Sequence, residues 1–223
     1  TGLVLCENEK RILLPDREDT AKAVILCMGA HARPLGIPRE DELTGAGISY
    51  CATCDGAFFK EQAVAVVGGG DTAVSDALYL SRFCSSVTIV HRRDEFRAAA
   101  VLVEKAKTLP NIHFALSSVP AALLGEKKVE GLQIRSLKTN ETTVLPVTGV
   151  FVAVGITPQT ELVKNIVILN EGGSIVTDAL MKTNIPGVYA AGDIRNTPLR
   201  QVVTACADGA VAATSALEFI SCH

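Results

Sequence analysis

Two cysteines with two residues between them have the clearest chemical potential in this sequence. Cys51 and Cys54 belong to the segment Cys-Ala-Thr-Cys-Asp-Gly, and the rest of the seven cysteines stand singly along the chain. A pair with this spacing serves as a redox dithiol or as half of a zinc site. Structural zinc takes four ligands, and the sequence offers no second such pair. The pattern favours a redox dithiol, beside which Asp55 could shuttle the proton that disulfide cleavage requires or act simply as a turn residue.

A glycine-rich turn is the second segment with chemical potential. It has the form Gly68-x-Gly70-x-x-Ala73, follows the apolar run 63–67 and precedes a stretch with apolar residues at helical spacing. In this pattern the first glycine makes a tight turn, the second lets the backbone approach a pyrophosphate, and the third small residue lets helix and strand pack closely. The helix also directs its first N–H groups at the phosphates. We therefore predict a dinucleotide site, the alternative being a glycine turn with no ligand.

The charged segment after the next predicted strand bears on which dinucleotide binds. Residues 91–97 read His-Arg-Arg-Asp-Glu-Phe-Arg. A site that prefers NAD usually has an acidic residue about 20 positions after the glycine turn, bonded to the ribose 2′-hydroxyl. Arginines can instead bind a 2′-phosphate through paired hydrogen bonds. The position favours NADPH over a merely solvated loop balanced by Asp94 and Glu95.

The last third of the chain offers a candidate flavin site. A disulfide is a poor direct acceptor of a hydride from NADPH, so a flavin normally stands between the two. Gly192-Asp193 at the end of a predicted strand would place a carboxylate near a sugar-alcohol hydroxyl. The helix predicted over 201–220 would direct its positive end at the flavin ring. An ordinary strand, loop and helix is the simpler alternative.

The alternation of strands and helices predicts an α/β protein with parallel sheets. We expect two Rossmann-like three-layer dinucleotide-binding domains: an incomplete FAD domain, and an NADPH domain inserted into it. Residues 1–34 and 149–223 are assigned to the FAD domain, and residues 35–148, with the dithiol, to the NADPH domain. Because dithiol and NADPH must both visit one flavin, we expect the inserted domain to rotate about hinges near Gly45–Gly47 and Thr148–Gly149.

Composition excludes several other classes. The 223 residues are 48% hydrophobic and 20% charged, with a net charge of -3, which argues against a nucleic-acid partner. The sequence shows no basic-then-apolar leader, and its longest apolar runs are shorter than the ~20 residues of a membrane helix. We therefore expect a cytoplasmic protein that binds no membrane. We expect most of the scattered cysteines to be small buried residues; they are Cys6, Cys27, Cys84, Cys206 and Cys222.

Taken together, these segments resemble the low-molecular-weight, bacterial-type thioredoxin reductases, in order and approximate spacing, over nearly the whole chain. The resemblance implies an NADPH-dependent flavoprotein disulfide reductase that reduces thioredoxin and forms a homodimer. It implies that Cys54 faces the flavin, that Cys51 exchanges with thioredoxin, and that Asp55 is the acid-base group.

The resemblance and the motifs together assign a set of cofactor-binding residues and no metal ligand. They are Gly68, Gly70, Asp71, Thr72, Ala73, His91, Arg92, Arg93, Arg97, Gly155, Gly192, Asp193, Arg200, Gln201 and Val202. By resemblance, the three arginines after position 91 clamp the NADPH 2′-phosphate. Asp193 binds the FAD ribitol, and residues 200–202 lie next to the flavin.

Two departures from this family are visible. The chain has Cys27-Met28-Gly29 where the family usually has Ala-Thr-Gly, and it contains one glycine-rich fingerprint where the family has two. At least one βαβ unit of about 30 residues is therefore expected to be absent. Three alternatives stay open: a relative of the flavoprotein subunit of alkyl hydroperoxide reductase, a non-catalytic NADPH-binding remnant and, last, a zinc protein.

Overall fold

The computed structural model describes residues 2–7 and 9–222. The chain divides into two compact units. One, called here the outer unit, combines Thr1–His31 with Ile156–His223, and the other, the inserted unit, is Ala32–Gly155. The inserted unit thus interrupts the outer unit once along the chain.

The first segment of the outer unit carries short strands. Their bounds are Gly2–Leu5 (β1), Lys10–Leu13 (β2), Glu18–Thr20 (β3), Val24–Leu26 (β4) and Ala30–Ala32 (β5). The first three form an antiparallel sheet in chain order. Between β2 and β3 the chain turns at the polar 15–17 segment, where the Leu14 N–H donates to the Arg17 carbonyl at 2.9 Å.

The inserted unit contains two further sheets. The strand bounds are Ile48–Ser49 (β6), Ala63–Val67 (β7), Ser86–Val90 (β8), Ile112–Ala115 (β9), Ser118–Leu124 (β10), Gly131–Ser136 (β11), Thr142–Leu145 (β12) and Gly149–Val152 (β13). Five of them form a parallel sheet in the order β6-β13-β7-β8-β9, and β10, β11 and β12 form an antiparallel sheet. The strand order of the parallel sheet reverses direction at β7. In open α/β sheets, ligands bind at the carboxyl ends of strands at such a switch point.

Four helices accompany these strands. Their bounds are Glu40–Leu43 (α1), Ala52–Asp55 (α2), Asp71–Leu80 (α3) and Ala100–Lys107 (α4), and a 3₁₀ turn, Gly56–Phe59, continues α2. Helix α4 begins at Ala100, because the residues before it form the loop that contacts the glycine turn.

The parallel sheet is covered on both faces. Val64 and Val66 of β7 belong to the core shared with α3 and α4, whereas Ala65 and Val67 belong to the core shared with the antiparallel sheet. All four side chains are nearly or fully excluded from water. Burying a valine in this way contributes about 1.5–3 kcal/mol relative to leaving it exposed. Helices, parallel sheet and antiparallel sheet thus form the three layers expected of a Rossmann-like domain.

The second segment of the outer unit completes a small α/β core. Its elements are Ile156–Pro158 (β14), Val188–Ala190 (β15), a 3₁₀ turn at Gly192–Ile194 and the helix Val202–Cys222 (α5). β15 pairs in parallel with β4, and β14 pairs with β5. The Tyr189 hydroxyl donates to the Ser215 carbonyl at 2.9 Å and so joins β15 to α5.

The unit boundaries differ from the expected ones. The chain crosses between units at 31–32 and 155–156, where we expected 34–35 and 148–149. The second difference moves β13 into the inserted unit, because β13 pairs with β7 from Gly149 opposite Val64 to Val152 opposite Val67. A short apolar run identifies a buried strand but not the sheet to which it belongs.

The expected hinge positions are also wrong, because they do not lie at the crossings between the units. Gly47 and Gly149 are both inside the inserted unit. A side chain at Gly47 would come within 2.6 Å of Val129, and one at Gly149 within 2.7 Å of the Phe59 ring. These glycines therefore allow close packing within one unit.

Candidate functional site

The glycine turn between β7 and α3 has the geometry of a backbone cradle. Gly68 has φ +154°, and a Cβ there would lie 2.8 Å from the Ala73 Cβ. The same atom would also overlap the Ala153 carbonyl oxygen at the end of β13. At Gly70 a Cβ would meet no protein atom within 4 Å, so this glycine faces open space. The turn thus packs closely on its inner side and leaves its outer side clear for a ligand.

The N–H groups in the first turn of α3 can bind an anion. Gly70 occupies the N-cap position and supplies no side-chain cap, so the first N–H groups lack the usual side-chain acceptor. Asp71 Oδ1 accepts from the Ala99 N–H at 2.7 Å and joins the start of α3 to the start of α4. Thr72 is exposed beside it. The Arg97 N–H donates to the Gly69 carbonyl at 2.8 Å and holds the charged loop against the turn.

A cavity of about 390 Å³ opens at this turn. Among its lining residues are Gly68, His91, Arg92 and Arg97, all within the inserted unit. Arg93 lies outside the lining, and its carbonyl accepts from the Ser117 N–H at 3.2 Å. The structure thus brings two of the three predicted arginines to one cavity.

The carboxylate of Asp94 pairs with other groups and does not neutralise the charge of these arginines. It accepts from Lys138 Nζ at 2.8 Å and from the Ser117 hydroxyl, and these contacts lower the pKa of Asp94. Because Asp94 is engaged elsewhere, Arg92 and Arg97 keep their positive charge available at the cavity.

His91 forms a buried wall of the cavity. Its ring stacks on Phe96 at 5.4 Å between centroids, and Nε2 lies 3.1 Å from the Glu95 carbonyl oxygen. Burial, together with the charges of the neighbouring arginines, lowers the pKa of His91. A Cβ on Gly69 would overlap the imidazole, so Gly69 is needed for the ring to lie against the turn.

Several cavity residues were missing from the predicted set. Arg33, Pro34 and Leu35 line one side, and residues 118–120 line another. The Arg33 N–H donates at 3.0 Å to the carbonyl of Gly155, a predicted site residue with φ +117°. Nothing local in the sequence marks these residues, because the chain brings them to the glycine turn from distant positions.

The two clustered cysteines form a disulfide in the same unit. Cys51 and Cys54 are joined, so both sulfurs are paired with each other in this state. Cys51 occupies the N-cap of α2, and its Sγ accepts from the Cys54 N–H at 3.2 Å. Cys51 Sγ also lies 3.4 Å from the Thr53 hydroxyl. An N–H group directed at sulfur stabilises a thiolate, so this geometry suits a reactive cysteine.

Asp55 is held by a buried serine that no sequence motif marks. The Ser49 hydroxyl donates to Asp55 Oδ2 at 2.6 Å and accepts from the Cys51 N–H at 3.1 Å. Ser49 is 5% exposed and ends strand β6. The structure therefore places Asp55, Ser49 and the dithiol in one hydrogen-bonded group.

Tyr50, next to Cys51, is anchored by a buried carboxylate. Glu40 is 4% exposed, and its Oε1 accepts from the Tyr50 hydroxyl and from the Leu35 N–H, both at 2.8 Å. Its Oε2 accepts from the Gly36 N–H at 2.8 Å. Burial and the hydrogen bond from its hydroxyl to Glu40 raise the pKa of Tyr50 to about 12. Glu40 thus connects the segment entering the inserted unit with the segment preceding the dithiol.

Gly192 and Asp193 lie in the outer unit, in the 3₁₀ turn after β15. Gly192 has φ +77° and is buried, and its N–H donates to Asp208 Oδ2 at 3.1 Å. Arg195 also binds Asp208, with its Nε 2.8 Å from Oδ2, and both of these side chains are 13% exposed. This ion pair fixes the turn to α5, and no local pattern marks it because the partners are thirteen positions apart.

The start of α5 lies beside this turn. Arg200 Nε donates to the Asp193 carbonyl at 3.4 Å, and the Gln201 N–H donates to the Thr204 hydroxyl at 3.1 Å. Val202 opens the helix and is 82% exposed. A Cβ on Gly192 would touch Ala205 at 3.3 Å, so the turn and the first helical turn are in contact. The predicted residues of this set therefore cluster around one helix start.

Residues 2–7 and 9–222 also bear on metal binding, membrane insertion and the state of the single cysteines. No group of three or more metal-binding side chains was found there. The helix α5 is long and apolar enough to cross a membrane by length and composition, although one such helix is weak support for a span. Of the scattered cysteines only Cys84 is buried; the others are exposed, against our expectation. They are Cys6, Cys27, Cys206 and Cys222.

Comparison with known proteins gives a consistent result. A family model described as pyridine nucleotide-disulphide oxidoreductase matches residues 3–209. A thioredoxin reductase of Peptoclostridium acidaminophilum is 50% identical over 212 residues, which are 92% of this chain and 67% of the relative. A thioredoxin reductase of Streptomyces coelicolor is 48% identical over 202 residues, which are 90% of this chain and 63% of the relative.

A solved structure agrees with these matches. The crystal structure of thioredoxin reductase from Streptococcus pyogenes superposes with a TM-score of 0.93 at 41% identity, over 100% of this chain and 73% of that chain. The chain thus spans about two thirds of the length of the curated relatives it matches.

Proposed function

This chain belongs to the pyridine nucleotide-disulphide oxidoreductase family, and we propose on that premise that it carries electrons from NADPH to the disulfide of a thioredoxin. The route runs through FAD and the Cys51–Cys54 pair. One observation carries the proposal: the disulfide and the dinucleotide cavity belong to a single compact unit.

The cavity at the glycine turn fits NADPH. The clear outer side of Gly70 and the uncapped start of α3 suit a pyrophosphate. Arg92 and Arg97 at the cavity suit a 2′-phosphate, which separates NADPH from NADH. His91, kept neutral by burial, adds a flat wall without adding a competing charge.

The cluster in the outer unit fits part of an FAD site. The Asp193 side chain forms no hydrogen bond within the described part of the chain, so its carboxylate can accept from a ribitol hydroxyl. The exposed Val202 at the start of α5 offers an apolar contact beside the positive end of the helix. When bound, FAD accepts a hydride from reduced nicotinamide and passes two electrons on to a disulfide.

The reduced dithiol then transfers both electrons to the partner. Cys51 gives up its thiol proton and attacks one sulfur of the partner disulfide, that disulfide breaks, and its leaving thiolate takes the proton that Cys51 released. Cys54 loses its proton and attacks Cys51 Sγ, which breaks the mixed disulfide and releases the second partner thiolate, itself then protonated. The products are the Cys51–Cys54 disulfide and a partner dithiol, so electrons and protons balance.

Asp55 is proposed to handle the proton of this exchange. It follows Cys54 directly and is half-buried, and Ser49 fixes one of its carboxylate oxygens. A carboxylate in this position can take the proton from the attacking thiol and return it to a leaving thiolate.

We extend the proposal to assembly and location. A homodimer follows from the resemblance, and exposed apolar side chains on α5, including Val203 and Leu217, are of the kind that subunit interfaces bury. A cytoplasmic location is supported by exposed free cysteines, among them Cys6 and Cys222, which a reducing compartment preserves.

The variant Cys54→Ser in the flavin-loaded holoprotein tests the electron route. We expect NADPH to bleach the flavin absorbance as in the unaltered protein, because the cavity is intact, while thioredoxin reduction falls by more than about 100-fold. Cys222→Ser, at the end of α5, is the matched control and should retain full turnover. Thioredoxin reduction that survives in Cys54→Ser would exclude the dithiol route. An unaltered holoprotein that consumes no NADPH with thioredoxin would exclude the function itself.

A further inference from the structure

Ser49 makes two hydrogen bonds that join the proposed acid-base group to the dithiol. Its hydroxyl lies 2.6 Å from Asp55 Oδ2, 3.1 Å from the Cys51 nitrogen and 3.3 Å from the Cys51 carbonyl oxygen. A serine hydroxyl has one proton to donate and lone pairs to accept with. The shortest contact marks Asp55 as the acceptor of that proton, and the Cys51 N–H then donates to the same oxygen.

We propose that Ser49 is a positioning residue that holds Asp55 in the orientation needed for proton transfer at the dithiol. The inference rests on the proposed function and deepens it. Ser49 does not exchange protons with the substrate, because the residue is 5% exposed and its hydroxyl is engaged on both sides. It acts through the carboxylate.

The location of Ser49 explains why this residue can position Asp55. Asp55 ends the four-residue helix α2, which is too short to hold a side chain rigidly by itself. Ser49 belongs instead to β6, where it stands opposite Phe151 of β13 in the parallel sheet. The hydrogen bond therefore anchors the carboxylate of Asp55 to the sheet. It occupies Oδ2, which leaves Oδ1 for the reacting proton.

A purely local role for Ser49 is the competing explanation. Serine hydroxyls often accept from the N–H two residues later and so stabilise a turn, and the bond from the Cys51 N–H has this form. If Ser49 served only the turn, its removal would impair the enzyme whether or not Asp55 were present. The two explanations thus differ in how the effects of substituting Ser49 and Asp55 on turnover combine.

A double-mutant cycle in the flavin-loaded holoprotein separates them. The measured quantity is the turnover number for NADPH-dependent reduction of thioredoxin. We expect Ser49→Ala to lower it about tenfold, as for loss of a hydrogen bond to a charged group, and Asp55→Asn to lower it about 100-fold. The double variant should lie within about twofold of Asp55→Asn alone. A further tenfold loss in the double variant would assign Ser49 to the turn and overturn the proposal.

Two controls accompany the cycle. Ser81→Ala removes a half-buried hydroxyl that donates to the Leu78 carbonyl at 2.9 Å, away from the dithiol, and should leave turnover unchanged. Ser49→Thr keeps a hydroxyl, so its turnover number should lie within about threefold of that of the unaltered holoprotein. Every variant should bleach its flavin with NADPH at the unaltered rate, which shows that the protein is folded and loaded.

The outcomes distinguish this inference from the function on which it rests. If the unaltered holoprotein fails to reduce thioredoxin, the proposed function is wrong. If the unaltered holoprotein is active and Ser49→Ala is equally active, the function stands and the positioning role is wrong. A loss in Ser49→Thr as large as that in Ser49→Ala, with normal bleaching, would also overturn the positioning role.

Discussion

At the scale of single residues, the arginines after β8 differ in what they contact. Arg92 and Arg97 border the cavity, whereas Arg93 lies outside its lining. We predict that Arg92→Ala and Arg97→Ala each raise the KM for NADPH by about tenfold or more, because each loses a charge-assisted hydrogen bond to the 2′-phosphate. Steady-state kinetics with NADPH and NADH check this.

Arg93→Ala is the matched control within the same loop. It removes the same charge but not a cavity contact, so we expect the KM for NADPH to rise by no more than about threefold. None of the three substitutions should change the KM for NADH, which has no 2′-phosphate. Equal losses with both dinucleotides would show that these arginines do not recognise the phosphate.

Asp76 of α3 makes a pH-dependent contribution to stability. Burial raises its pKa from 3.8 to about 6. Between these values the folded protein keeps a proton that the unfolded chain releases, so the free energy of unfolding falls as pH rises from about 4 to about 6. Asp76→Asn should therefore raise the free energy of unfolding by roughly 2 kcal/mol near pH 7 and leave it unchanged below pH ~4.

Urea unfolding at several pH values measures this effect. Asp16→Asn, at an exposed position between β2 and β3, serves as the control and should change the free energy of unfolding by less than about 0.5 kcal/mol. A stabilisation by Asp76→Asn that is equally large in acid would show that it does not come from ionisation of the carboxyl.

At the scale of elements, patterns that are long or strongly periodic identified the right structures. The helix expected over 201–220 is Val202–Cys222, and the glycine turn is followed by α3 as the fingerprint requires. These features depend on neighbouring residues, so local sequence contains the information that defines them.

Features that depend on distant residues were not predictable in this way. The sheet to which β13 belongs is decided by its pairing with β7, about 85 residues earlier. The cavity lining from Arg33 and the ion pair between Arg195 and Asp208 depend likewise on tertiary contacts. The dithiol was identified from its spacing, but its partner Ser49 was not, because a single serine has no distinctive pattern.

At the scale of the whole molecule, each unit has its own core. The cores of the inserted unit lie on the two faces of its parallel sheet, and those of the outer unit lie around β4, β15 and α5. A ligand that binds one folded unit stabilises that unit by RT ln(1 + [L]/Kd) and does not act directly on the other. Because NADPH is proposed to bind the inserted unit, it should raise the stability of that unit selectively.

We predict two unfolding transitions for the 223-residue chain in calorimetry, of which NADP⁺ shifts only one. At about 100 times its Kd the nucleotide should add about 2.7 kcal/mol to the inserted unit and move that transition up by several degrees. NAD⁺ at the same concentration is the control, and should shift it less because it lacks the 2′-phosphate that Arg92 and Arg97 are proposed to bind. A single transition, or an equal shift of both, would contradict independent units, and no shift at all would contradict the assignment of the cavity to NADPH.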